Sequence, residues 1–257
     1  MKVLQTAERV SDTNASDNFV FKRSLLAYEF ASKKVHGDVL EVGSGEGYGL
    51  SILAPHAQSY TMLDKYRFDP EKLKGIQNAR FIQMTIPPFA GIPDNSFDCV
   101  VSFQVIEHIK NDKLYSSEIH RVLKPGGIFI VSTPNIKMSL ARNPWHIREY
   151  TIDQLKSHLE KDFNSVETLG VYAGPAAMDY YKKNKEAVDK IMRIDFLKLQ
   201  HRLPRKMLQI PYDVLNRINR KKLLRKNQEL TSHLTTSDFY IDKAKDDCLD
   251  LYFIAQK

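Results

Sequence analysis

Cysteine is scarce in this chain: two occur in 257 residues, Cys99 and Cys248. Both sit in apolar runs that read as strands, which predicts buried, reduced thiols and argues against a disulfide framework or a cysteine-rich metal site. Long hydrophobic runs are also missing, since no apolar segment approaches the roughly 20 residues that a membrane-crossing helix needs. Met1-Lys2-Val3 leads into polar sequence and not into a secretory leader, so residence in the cytoplasm is expected. No internal repeat and no low-complexity tract interrupts the chain, which excludes stacked-repeat architectures. With 42% hydrophobic and 27% charged residues the composition is that of a globular protein, and the length suits one main core with an extension.

Negative charge is locally short. Residues 181–230 hold fifteen Lys or Arg against five Asp or Glu, a balance of +10 in a chain of net +7, so the remainder carries 7 − 10 = −3. Met207, Ile210, Val214 and Ile218 recur there at helical spacing among basic residues from Arg202 to Lys226. The pattern predicts two or three basic amphipathic helices. Aromatics are not interleaved for base stacking and no RNA-binding module is readable, which disfavours nucleic acid as a partner. A merely solvated helix face is the commonest reading of such charge.

In the stretch Val39-Leu40-Glu41-Val42-Gly43-Ser44-Gly45-Glu46-Gly47-Tyr48-Gly49, a strand, a tight turn and a helix start follow one another directly. Residues 38–42 read as a buried strand and 48–54 resume with helical spacing. The glycines between them permit positive φ and leave backbone N–H groups bare for an anionic group of a ligand. A dinucleotide fingerprint needs Gly-x-Gly-x-x-Gly. Here the third glycine comes one residue early, at Gly47, and Tyr48 stands where that pattern wants Gly or Ala, which weakens a nicotinamide reading. A second strand over 59–63 ends at Asp64, whose carboxylate can accept two hydrogen bonds from a ribose. After a third strand over 79–84, residues 99–103 read as a strand buried on both faces, followed at its carboxyl edge by Gln104-Val105-Ile106-Glu107-His108. Asp112 can cap the next helix, Lys124-Pro125-Gly126-Gly127 stops it, and 128–132 form a fifth strand. Thr151 and Gln154 make a capping box for a helix over 152–163, and 165–172 and 248–255 read as the last two strands.

Three of these strings together resemble the class I S-adenosylmethionine-dependent methyltransferases: Glu41-x-Gly43-x-Gly45-x-Gly47, Gln104 to His108, and Arg121-Val122-Leu123-Lys124-Pro125-Gly126-Gly127. The resemblance covers residues 38–175 and the last strand. It implies an α/β fold with a Rossmann-like seven-stranded sheet flanked by helices, the last strand antiparallel between the fifth and sixth, and a basic helical insertion before it. The methyltransferase domain would comprise 1–175 with 241–257, and 176–240 would be a lid or docking surface. S-adenosylmethionine is the implied cofactor, held by Glu41, Gly43, Ser44, Gly45 and Gly47, by Asp64 and Lys65, by Met84 and Thr85, and by Gln104 and Val105. Met84-Thr85 stands where many relatives place an acid for the adenine amino group, leaving backbone atoms or the Thr85 hydroxyl to do that work. Tyr28 resembles a cofactor-contacting tyrosine of some relatives, although Ala27 replaces the arginine before it, and helix packing explains it as well.

The sulfonium of that cofactor is a strong electrophile with a neutral leaving group, so alignment and, for a hydroxyl acceptor, removal of a proton are the remaining tasks. His108 and His146 are the candidate bases, and Arg148, Glu149 and Tyr150 the candidates to orient a polar substrate; the other six histidines fall on surface or peripheral stretches. The Gln104 to His108 string also resembles the Glu-Val-x-Glu-His of ubiquinone-pathway O-methyltransferases. Gln104 replaces its first acid, so no metal ion is expected. The run around His146 with the insertion is similar to methyltransferases of bacterial surface-glycan and lipid-linked saccharide pathways. That implies O-methylation of a small molecule or a glycan hydroxyl, with residues 181–230 in peripheral contact with an anionic membrane or a lipid-linked phosphate. The alternatives are an RNA methyltransferase and a non-catalytic S-adenosylmethionine-binding partner protein.

Overall fold

A computed structural model describes residues 14–194, 199–226 and 231–257. The polar start of the chain, residues 1–13, and two pieces of the basic segment, 195–198 and 227–230, lie outside the described residues.

Five strands build the first part of the sheet: β1 (Asp38–Val42), β2 (Ser59–Asp64), β3 (Ala79–Gln83), β4 (Phe97–Phe103) and β5 (Leu123–Pro134). They are mutually parallel where they pair. β6 (Ser165–Ala173), β7 (Phe239–Lys243) and β8 (Asp250–Gln256) complete an eight-stranded sheet of order β3-β2-β1-β4-β5-β8-β6-β7. The final strand is antiparallel to both β5 and β6 and lies between them, as the family resemblance implies. The strand beyond the expected seven is β7, which pairs antiparallel with β6 at the sheet edge and takes residues 239 and 240 out of the expected insertion. Its pattern, Phe-Tyr-Ile-Asp-Lys, is too short and too polar to announce a strand without its partner.

Neighbouring strand residues point to opposite faces, and two cores follow from that alternation. Leu40, Val42 and Val100 pack with Tyr115 and Ile119 of α3 (Asp112–Val122) and Leu155 of α4 (Ile152–Leu159). Val39, Cys99 and Val101 pack on the other face with Ala27 and Tyr28 of α1 (Asn18–Ala31) and Leu53 of α2 (Leu50–Leu53). Both cysteines are buried and free. Cys248 lies in the turn before β8, its N–H donating to the Lys245 carbonyl, so only Cys99 is a strand residue. The cap of α3 is Asn111, whose side chain accepts from the Leu114 N–H, and not Asp112. The Thr151–Gln154 capping box is present on α4.

Lys124 explains part of the Lys-Pro-Gly-Gly string. Its ammonium lies 2.9 Å from Asp38 Oδ2 and 2.8 Å from Asp98 Oδ2, tying together the starts of β1 and β4 at the end of the sheet opposite the glycine turn. A Cβ on Gly127 would stand 2.9 Å from the Asp98 carbonyl oxygen, so the chain can pass there only without a side chain.

Among its described residues, the insertion between β6 and β7 holds α5 (Pro175–Ile194), α6 (Leu199–Arg202) and α7 (Arg205–Lys226). It is fastened to the N-terminal helix by a third apolar cluster, in which Phe19 meets Tyr180, Leu223 and Phe239. Arg217 and Arg220 of α7 also converge on the buried carboxylate of Asp17, at 3.3 and 2.9 Å.

Candidate functional site

β1 sits between β2 and β4, so the crevice beyond the carboxyl ends of β1 and β4 is the place where an open α/β sheet binds ligands. The glycine turn occupies it. Gly43, Gly45 and Gly47 have φ of +80°, +54° and +80°. The N–H groups of Gly43 and Ser44 donate to the Leu63 carbonyl at 2.8 and 3.0 Å, which folds the turn toward β2. There the Gly45 N–H donates to Asp64 Oδ2 at 2.9 Å and the Tyr66 N–H to Oδ1 at 2.8 Å. A Cβ on Gly43 would come within 2.3 Å of Val105 and one on Gly47 within 2.4 Å of the Phe68 ring, whereas a Cβ on Gly45 would meet nothing within 4 Å. Packing therefore demands the outer two glycines, and the middle one leaves the backbone bare.

A cleft of 610 Å³ opens over this turn, in the size range of small-molecule sites. Gly43, Ser44, Gly45, Asp64, Lys65, Thr85, Gln104, Val105 and His108 all line it, together with Tyr28 and Trp145. Ser44 Oγ is buried there without a hydrogen-bond partner among the described residues, a group that a polar ligand can satisfy. The open backbone at Gly45 and this orphaned hydroxyl suit the charged methionine end of S-adenosylmethionine, and the Asp64 carboxylate has lone pairs left for a ribose.

Three expected cofactor residues do not line the cleft. Glu41 is buried beneath the turn, where it receives the phenol hydroxyls of Tyr28 at 2.7 Å and Tyr60 at 2.6 Å. Burial pushes its carboxyl up, and the two hydroxyls oppose that. It braces the turn from below, and a Cβ on Gly49 would stand 2.3 Å from the Tyr28 ring in this brace. Gly47 packs on Phe68, and Met84 packs against the core while its neighbour Thr85 lines the cleft.

A second cavity, of 340 Å³, adjoins the first: Ser24 and Gln104 line both. It runs between α1, α5 and α7, with Tyr180, Tyr181 and Met192 on one side and Tyr212 and Leu215 on another. Gln104 lies at the junction with φ of +58°, the left-handed region that a non-glycine residue seldom adopts and that clusters at functional sites. His146 and Glu149 are on the wall of the second cavity. His146 Nδ1 lies 2.6 Å from Glu149 Oε1, and the other carboxylate oxygen accepts from the Ser139 hydroxyl. The Trp145 N–H donates to Asn143 Oδ1 at 3.0 Å, which orients the Asn143 amide so that Nδ2 donates to His146 Nε2 at 2.9 Å. That network places the imidazole proton on Nδ1 and the lone pair on Nε2.

His108 faces His146, with ring centroids 5.0 Å apart. Its Nδ1 lies 3.0 Å from the Trp145 carbonyl and its Nε2 4.0 Å from Glu107 Oε1. Glu107 is buried. One of its oxygens accepts from Thr133 Oγ1 at 2.9 Å, the other has no hydrogen-bond partner among the described residues, and burial pushes the carboxyl up against the pull of the two histidines. Glu107, His108 and His146 each bring one ligand atom within 4.8 Å of the others, a set whose composition suits a divalent cation.

Arg148 and Tyr150 line neither cavity. Both bind Asp112 in the first turn of α3, Arg148 through an ion pair and Tyr150 through its hydroxyl at 2.8 Å, and Tyr150 is fully buried. Asp112 holds both on the scaffold, Tyr150 buried and Arg148 exposed at the surface, so of the three expected substrate residues only Glu149 reaches a cavity. His158, expected at the periphery, is buried and hydrogen-bonded to Ser116 Oγ at 2.7 Å, which lowers its pKa through desolvation. Reasoning from sequence missed Arg23 and Asp250. They form a buried ion pair of 2.8 Å next to Gln104, and nothing local in either segment couples residues so far apart in the chain.

Residues 15–166 match the family model described as a methyltransferase domain. A Mycolicibacterium smegmatis protein named "Probable S-adenosylmethionine-dependent methyltransferase" is 39% identical over 187 residues, which covers 68% of this chain and 71% of that protein. A Mycobacterium tuberculosis protein of the same description is 34% identical over 185 residues, covering 68% and 66%. The solved structure of YcgJ from Bacillus subtilis shares the fold, with a TM-score of 0.54 at 17% identity, over 90% of this chain and 97% of that one. The chain belongs to the methyltransferase-domain family. It is an S-adenosylmethionine-dependent methyltransferase.

Proposed function

We propose that this methyltransferase O-methylates a hydroxyl of a small molecule or saccharide seated in the cavity under α5 and α7, with His146 as the general base. The observation that carries the reading is the junction of the two cavities at Ser24 and Gln104, with the His146–Glu149 pair on the acceptor side. Glu149 holds the imidazole in the tautomer a base needs, and the acceptor hydroxyl would take the place of the Asn143 amide at Nε2. S-adenosylmethionine supplies a sulfonium methyl with a neutral leaving group, so the chain needs no acid for departure. The chain's own work is to close the space above Gln104, to aim the hydroxyl and to accept its proton.

His146→Gln is expected to lower turnover by about 10²–10⁴-fold, the usual contribution of a general base, while S-adenosylmethionine affinity by titration calorimetry stays unchanged. Turnover would be followed as S-adenosylhomocysteine release with saccharide, lipid and RNA fractions. Label transferred to RNA would replace the acceptor class, and tight cofactor binding with no release in any fraction would make the protein a non-catalytic binding partner.

A second reading has its own observation, the Glu107–His108–His146 cluster with one orphaned carboxylate oxygen. There the three side chains would hold a divalent cation that orients the acceptor oxygen. Chelation separates the two: activity that survives dialysis against EDTA supports the base, and activity restored only by added divalent ion supports the cation.

A further inference from the structure

Of the nine large apolar side chains exposed among the described residues, five lie on α7: Met207, Ile210, Val214, Leu215 and Ile218. Four of them, at 207, 210, 214 and 218, follow the helical repeat and form one stripe along the outer face, with Ile210 73% and Met207 62% exposed. Such a stripe is normally buried. Here the opposite face of the same helix is the packed one. Tyr212, Asn216 and Asn219 line the acceptor cavity, and Arg217 and Arg220 are drawn inward by Asp17. The charges left outside are of one sign: Arg202, Lys206, Lys221, Lys222, Arg225 and Lys226 are exposed around the stripe. The single acid of residues 199–226, Asp213, turns to the site loop, where it accepts from Trp145 Nε1 at 3.1 Å.

We infer that α7 is an interfacial helix that seats the protein on an anionic lipid surface and forms the roof over an acceptor drawn from that surface. An apolar stripe with basic edges and no acid facing outward is complementary to a bilayer of negative surface potential, the apolar side chains entering the headgroup boundary and the Lys and Arg side chains meeting lipid phosphates. No helix among the described residues is long and apolar enough to cross a membrane, so α7 lies on the surface and does not span it. Leu215 joins the two faces, since it lines the cavity and is 47% exposed. The seat is also tied to the chemistry: Arg205 at the start of α7 donates to the Ile147 carbonyl at 2.5 Å, and Arg142 donates to the Gln200 carbonyl at 2.6 Å, on either side of His146. The inference deepens the acceptor reading above by naming the acceptor's source, an amphiphile of the membrane surface, and rests on that reading for the use of the cavity.

The test is flotation of the full chain with vesicles of phosphatidylcholine alone and of phosphatidylcholine mixed with phosphatidylglycerol, which needs no turnover and so fails independently of the acceptor reading. Binding is expected to the anionic vesicles and not to the neutral ones, and to weaken as salt is raised. Replacing Lys221 and Lys222 together by Gln should weaken it on the order of tenfold or more, from the loss of two surface-facing charges. The pair Ile210→Glu and Ile218→Glu should abolish it, with S-adenosylhomocysteine affinity and thermal midpoint unchanged because both side chains are exposed. Absence of binding to anionic vesicles, or binding indifferent to both sets of substitutions, overturns the inference. So does a dimer in solution that Ile210→Glu dissociates, which would assign the stripe to a second copy of the chain.

Discussion

Glu41 near the end of β1 and Glu107 in the turn after β4 are both buried carboxylates beside the cleft, yet their surroundings differ. Glu41 receives two phenol hydroxyls, whereas Glu107 receives one threonine hydroxyl and keeps an orphaned oxygen. Burial raises the Glu107 carboxyl above its ordinary 4.5, so the folded chain binds a proton there that the unfolded chain has already released. Stability from this group is full below the ordinary value and is lost as pH rises through the raised one. Glu107→Gln, which keeps an acceptor for Thr133, should therefore flatten the fall of unfolding free energy with pH above 4.5, measured by urea denaturation in the absence of divalent ions. An equal slope in both proteins would mean that Glu107 is ionised at no cost. Asp64 does other work, since its two oxygens hold the Gly45 and Tyr66 amides at the cleft wall. Asp64→Ala is expected to weaken S-adenosylmethionine binding by roughly tenfold to a hundredfold, the worth of hydrogen bonds to a charged acceptor. Unchanged affinity by calorimetry would place the ribose elsewhere.

At the level of elements, α7 matters most. It is a helix with a polar inner face, an apolar outer stripe and a proline at position 211, and its sequence alone gives no reason for it to stay on the domain. Its attachment comes from Leu223 in the third apolar cluster, from the two arginines on Asp17 and from the hydrogen bonds of Arg205 and Asp213 to the site loop. Breaking a fully buried ion pair costs about 3–5 kcal/mol. Arg217 and Arg220 keep 18% and 13% of their side-chain surface, so solvent would recover part of that cost. Asp17→Ala is thus expected to destabilise the chain by about 2 kcal/mol and to raise hydrogen exchange and protease sensitivity in α7 before the sheet. A uniform loss across the sheet would show that α7 and the sheet unfold as one unit.

For the molecule as a whole, the cofactor is the natural probe of integrity, because the cleft draws on the turn after β1, on β2, on β4 and on α1 together. S-adenosylhomocysteine at a hundredfold excess over its dissociation constant should stabilise the fold by about 2.7 kcal/mol in urea titrations, and NAD should not. Much of this was legible beforehand because it is local. The glycine turn, the Thr151–Gln154 box and the alternation of Leu40 with Val39 are decided by dihedral preference and burial over a few residues, and they carry the class of protein with them. The sequence by itself determined a run of buried strands, a glycine turn between the first strand and helix, and a basic helical insertion, and the resemblance its motifs carry added the antiparallel last strand. It left open that Glu41 and Gly47 brace the turn and do not line the cleft, that Arg148 and Tyr150 serve Asp112, and that Phe239–Lys243 closes the sheet edge. His108 and His146 meet, and Arg23 finds Asp250, only once distant strands and helices are packed. Those contacts depend on which segments the tertiary structure brings side by side, and periodicity along the chain holds no record of that.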